Sequence, residues 1–145
     1  MVKTVYVLGD SISIQYGPYL AQYLAGFMPY NRKSETDEAE LKLDDPQGAN
    51  GGDSRMVRRF LQAMRDHNGL AADLLLLNCG LHDIKTDPGN GAKQVPLPVY
   101  RDNLQAIIKL AAELRLALVW LRTTPCDERV HNRPRYDLSS LCRRL

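Results

Sequence analysis

Three short polar stretches, each following an apolar run or a loop of glycines, hold the residues that can do chemistry. Ser11 follows Gly9-Asp10, directly after the apolar, β-branched run Val5-Tyr-Val-Leu8. A hydroxyl where a strand ends and a helix begins sits at the usual ligand crevice of an open α/β sheet. Backbone N–H groups at such a helix start can receive a developing negative oxygen. The plainer role for Ser11 is to cap that helix. The second stretch, Pro46-Gln-Gly-Ala-Asn-Gly-Gly-Asp-Ser54, has three glycines in five residues, a density that signals special backbone angles or close approach to another group. It offers a backbone N–H at Gly52, or simply a loop with Asp53 or Ser54 as helix cap. The third, Gly80-Leu-His-Asp83, places an imidazole and a carboxylate after the run Leu74-Leu-Leu-Leu77. The lysine of a nucleotide-binding P-loop is missing from the glycine-rich stretch, which argues against that chemistry.

Each stretch alone is weak. Together, in this order and spacing, they resemble the SGNH, or GDSL-type, hydrolase family over roughly residues 3–125. Gly9-Asp10-Ser11 is similar to the block that carries the family's nucleophilic serine. Gly51-Gly52-Asp53-Ser54 is similar to the second block, whose glycine N–H lines the oxyanion hole. Gly80-Leu81-His82-Asp83 is similar to the third, usually Gly-x-Asn-Asp. The resemblance implies a serine ester hydrolase acting on small acyl esters or acetylated carbohydrates, with Ser11, Gly52 and His82 catalytic, Asp10 and Asp83 supporting, and neither metal nor organic cofactor. His82 stands where the family has an asparagine donor. An imidazole N–H can also donate, although its ordinary pKa near neutrality makes that donor pH-sensitive. A structural loop role and a general-base role for His82 stay open at this point.

The family's last block, Asp-x-x-His, has no match here. Asp127 and His131 are four apart, not three, and His131 is the alternative base. His67, beside Asn68-Gly69, reads as a solvated helix end. The gap implies an impaired enzyme, or a catalytically silent binding or interaction domain that keeps the oxyanion pocket. A flavodoxin-like phosphate or flavin binder is a third reading, resting on fold analogy alone.

The elements that must position these groups alternate strand and helix, which implies a mainly parallel sheet with right-handed crossovers. The first helix is expected just past Ser11, with a pattern over Tyr16–Met28, apolar positions at 20, 21, 24, 27 and 28, and a stop at Pro29. A short second strand is expected in Glu40–Asp44, after a charged loop from Asn31. The next helix has apolar positions 56, 57, 60, 61 and 64 and stops at Asn68-Gly69. Leu74–Cys79 is the third strand. The last helix carries Pro98 at its start and runs to about Leu116, and Ala117–Thr123 is the fourth strand. The expectation is a three-layer, flavodoxin-like α/β domain over 1–125, four-stranded with a fifth strand missing, followed by a polar tail, 126–145, that reads as truncated. Without further cover, the fourth strand would leave Leu118, Val119 and Trp120 exposed, an edge through which copies of the chain could associate.

Composition narrows the classes further. The chain of 145 residues suits one domain. Its net charge is +2, with five Arg against three acids from Cys126 onward and balance before that. With no basic stripe, nucleic acid is not an expected partner; a small-molecule ester is. Three scattered Cys fit a reducing, cytoplasmic setting, with Cys79 as a buried small hydrophobe. No run approaches a membrane span.

Overall fold

A computed structural model describes residues 3–33, 48–67 and 69–123. Within them the order is β1 (Val5–Gly9), α1 (Ser11–Leu24), β2 (Tyr30–Arg32), α2 (Ser54–Asp66), β3 (Leu74–Asn78), α3 (Leu97–Glu113) and β4 (Ala117–Trp120). All strand pairs are parallel and the sheet order is β2-β1-β3-β4. The chain leaves β1 towards one edge and later returns past it towards the other. The gap between the carboxyl ends of β1 and β3 is therefore the topological switch point, where open α/β sheets bind ligands. The arrangement is compatible with a flavodoxin-like fold.

Strand alternation divides the side chains between two faces. Tyr6 and Leu8 of β1 register with Leu75 and Leu77 of β3, which register with Leu118 and Trp120 of β4. This face packs against Val57 and Leu61 of α2 and Ile107, Leu110 and Ala111 of α3. Leu8, Leu61, Leu75, Leu77 and Ile107 are fully buried. Each such side chain contributes about 1.5–3 kcal/mol by leaving water. The opposite face, carrying Val7, Gly9 and Asn78, meets α1: a Cβ placed on Gly9 would lie 2.9 Å from the Cβ of Ser13.

The first helix differs from its expected form. It turns Ser13, Ile14 and Gly17 inward, while Tyr19, Tyr23 and Phe27 are exposed. The small residues let the helix approach closely. A Cβ on Gly17 would meet the Arg32 guanidinium and the Tyr30 hydroxyl, each at 2.8 Å. The helix ends at Leu24, before a left-handed Gly26, and not at Pro29. The second strand is Tyr30–Arg32, inside the stretch expected to be loop; Glu40–Asp44 lies outside the described residues. This edge strand needs only one partner, β1, and three half-buried polar side chains satisfy it. The helix α2 stops as expected, with Gly69 left-handed and its N–H donating to Met64 O at 2.8 Å. The last helix stops three residues early, at Glu113, because Arg115 turns left-handed (φ 59°). Only four residues of the fourth expected run are strand. In that strand Val119 is exposed, as is Leu121 just beyond it, whereas Leu118 and Trp120 are half-buried and pack against the core. No helix among the described residues is long and apolar enough to cross a membrane.

Candidate functional site

The carboxyl ends of β1 and β3 are joined by side chains. Gly9 faces Asn78 in register. Asn78 Nδ2 donates to Asp10 Oδ1 at 2.7 Å, and the Tyr16 hydroxyl donates to Asn78 Oδ1 at 3.3 Å. Asp10 is buried, and its carboxylate also accepts from Ile12 N at 3.0 Å, making it the N-cap of α1. The capping role open to Ser11 is thus taken by the residue before it. Ser11 is the first helical residue and half-buried, so its N–H belongs to the turn whose donors lack intrahelical acceptors. Burial, with Tyr30 and Asp10 nearby, pushes the Tyr16 phenol up to about 12. It therefore stays a neutral donor to Asn78.

The glycine-rich loop reaches this rim through its backbone. Gly51 N donates to Gly9 O at 2.6 Å, and a Cβ on Gly51 would lie 3.0 Å from that same oxygen. A side chain there would force the two main chains apart by a few tenths of an ångström. Arg32, the last residue of β2, and Lys33 just after it hold the loop from outside: Arg32 donates to Ala49 O at 3.5 Å and Lys33 to Asn50 O at 2.9 Å. Gly52 has φ +70°, and its N–H donates to Asn50 Oδ1 at 2.8 Å. The N–H expected to face a reacting oxygen is therefore engaged by a side chain of its own loop.

The third motif completes the cluster. His82 is buried, and its Nε2 lies 3.4 Å from Asn50 Nδ2. The Asp83 carboxylate sits at the start of α2, accepting from Ser54 N at 3.0 and 3.1 Å and from the Ser54 hydroxyl. Asn103 of α3 donates to that same hydroxyl at 3.0 Å. Burial raises the Asp83 carboxyl above its ordinary range against the opposing pull of the Ser54 bonds. Asp53 is the N-cap of α2, accepting from Arg55 N and Met56 N. Burial by itself would raise this carboxyl. The Arg55 guanidinium at 2.8 Å, Gln94 Nε2 at 3.0 Å and the Met56 amide prevail and hold it below its ordinary value. Asp10 and Asp83 thus support the rim by fixing the helix starts.

Ser11, Gly52 and His82 accordingly lie on three loops tied to one rim. The ties run Ser11 to Asp10 by sequence, Asp10 to Asn78 and Gly9 to Gly51 by hydrogen bonds, and Gly52 to His82 through Asn50. His67 is exposed at the C-cap of α2. Helices of parallel crossovers run against their strands, so it lies at the opposite rim from Ser11. Asp127 and His131 lie outside the described residues. Asn50, Asn78 and Tyr16 were not legible as site residues. The available signal was positional: an asparagine at a strand's carboxyl end, and one preceding a pair of glycines.

Beside the third motif opens a cavity of about 460 Å³, lined by Gly80, Ile84, Val95, Leu97, Tyr100 and Thr123 among others. The Tyr100 and Thr123 hydroxyls both donate to Cys79 O, at 3.3 and 3.4 Å. Burial, with nearby carboxylates, pushes the Cys79 thiol up to about 12. Compared with protein-family models, with curated proteins and with solved structures, the chain finds no match.

Proposed function

We propose that the chain is a serine ester hydrolase of the SGNH type, acting on small acyl esters or acetylated carbohydrates and slow in this form. The observation that carries the reading is the capping of α1 by Asp10. Asp10 takes the N-cap role that Ser11 could have had, and Ser11 opens α1 beside the switch point to which the three motifs are tied. In the reaction Ser11 Oγ attacks the ester carbonyl and loses its proton to a base. The tetrahedral oxyanion gathers donors from the first turn of α1 and from His82. Collapse expels the alcohol, which takes up the proton, and water then releases the acid. The apolar cavity beside Gly80 is of the size that small-molecule sites have and suits an acyl group. The family block that would supply the base this scheme requires has no match in the chain, and His131, outside the described residues, is the candidate the sequence leaves for it. A hydrolase without a working base can lose up to about 10⁶ in rate yet keep roughly 10³–10⁴ over water from binding and oxyanion donors.

One observation favours a second reading, a silent binding domain. The Gly52 N–H already donates to Asn50 Oδ1, so an oxyanion would have to displace a buried acceptor. Turnover of p-nitrophenyl acetate separates the two. The hydrolase reading expects slow turnover that Ser11→Ala removes, with stoichiometric labelling of Ser11 by a fluorophosphonate. Equal behaviour of wild type and Ser11→Ala would exclude Ser11 chemistry and leave the binding domain.

A further inference from the structure

His82 has two ring nitrogens, and its chemistry depends on which carries the proton. The surrounding bonds decide this through Asn50. The Asn50 side chain is fully buried. Its Oδ1 accepts from Gly52 N at 2.8 Å. The amide cannot be turned over, because its NH₂ would then oppose that N–H and leave two buried donors facing each other. Its Nδ2 must therefore face His82 Nε2, as it does at 3.4 Å. An amide NH₂ offers only hydrogens, so Nε2 must offer its lone pair. Neutral imidazole with a bare Nε2 carries its proton on Nδ1. The peptide that follows Asn50 is pinned at both ends, its carbonyl by Lys33 at 2.9 Å and its N–H by the Gly9 carbonyl at 2.6 Å.

We propose that Asn50 is the positioning residue of the site, holding His82 in the Nδ1–H tautomer. His82 Nε2 is then committed to the Asn50 amide and is not the base that takes the Ser11 proton. This deepens the hydrolase reading and rests on it. It leaves the proton-accepting role to another group.

The test is the two-bond ¹H–¹⁵N correlation spectrum of the full chain at about pH 8.5, roughly two units above the ordinary imidazole pKa. The His82 signals are identified by their loss in His82→Gln. The expected wild-type pattern is protonated Nδ1 and bare Nε2. Asn50→Asp keeps an acceptor for Gly52 N but replaces the NH₂ with a second oxygen. His82 Nε2 should then gain a proton. A wild-type spectrum with the proton on Nε2 would overturn the proposal without recourse to any variant, and so would an unchanged His82 pattern in a folded Asn50→Asp. Failure of the hydrolase reading shows separately, as Ser11-independent turnover. In that case the tautomer result would stand for a binding pocket.

Discussion

Replacing Gly9 with alanine is expected to destabilise the chain by disconnecting Asn78 from Asp10. A Cβ at residue 9 would lie 2.1 Å from Asn78 Oδ1, 2.7 Å from its Cγ and 2.9 Å from Ser13 Cβ. Asn78 must rotate away, and its 2.7 Å bond to the buried Asp10 carboxylate is lost. A hydrogen bond to a charged group is worth about 1.5–3 kcal/mol, and crowding a packed site adds roughly 1–3 kcal/mol. Against this, alanine reduces unfolded-state entropy by about 0.4–1 kcal/mol. The net loss is then roughly 2–5 kcal/mol. With a urea m-value of about 2 kcal/mol/M, the midpoint falls by about 1–2.5 M. The decisive measurement is the same substitution in an Asn78→Ala background. There the bond is already gone and the Asn78 amide no longer obstructs, so only crowding against Ser13 Cβ remains and Gly9→Ala should cost at least about 1.5 kcal/mol less than in the wild type, a coupling well outside additivity. If Gly9→Ala costs as much in that background as in the wild type, the steric argument fails.

Asp53 is held below its ordinary carboxylate value, so the folded chain binds fewer protons there than the unfolded chain does. The stability this gives is present above about pH 3.9 and is lost as pH falls through the folded value. Asn at residue 53 can still cap α2, so the urea-midpoint gap between wild type and Asp53→Asn should be wide at neutral pH and close under acid; a gap independent of pH would refute the assignment. Arg115 holds a left-handed backbone at the end of α3, and Arg115→Gly should stabilise by about 0.5–1 kcal/mol, seen as a raised thermal midpoint. With the Cys79 thiol pushed up to about 12 and fully buried, a Cys126→Ser/Cys142→Ser variant should react with a disulfide reagent at about pH 8 only after denaturation. Prompt reaction in the native state would contradict that burial.

The elements that set the site were legible where the pattern is strong. Val5–Leu8 and Leu74–Leu77 are uninterrupted apolar runs, and strands buried on both faces read that way. The cap at Asp53 and the stop at Gly69 follow from local chemistry. Tyr30–Arg32 was hidden because an edge strand of three half-buried residues has no room for a periodic signal. The inward face of α1 was legible only in its later part, where Leu20, Ala21 and Leu24 are half-buried; Ser13 and Gly17 hold their place by smallness, which a hydrophobicity pattern does not register. Gly9 has an ordinary strand backbone, and what it provides is space for the Asn78 amide and the Ser13 side chain. Asn50 and Asn78 have partners as far as 68 positions away in the chain, and only the folded sheet brings those partners to the same rim.

The bond between the Gly51 peptide and the Gly9 carbonyl runs from main chain to main chain. Two of the loops around Ser11 are therefore held together by atoms that every residue type possesses. Side chains around the crevice can change their chemistry while its walls keep their spacing, provided the two glycines remain. The architecture can thus outlast any particular set of reactive groups, and a chain that had given up catalysis would still present the same opening to a ligand.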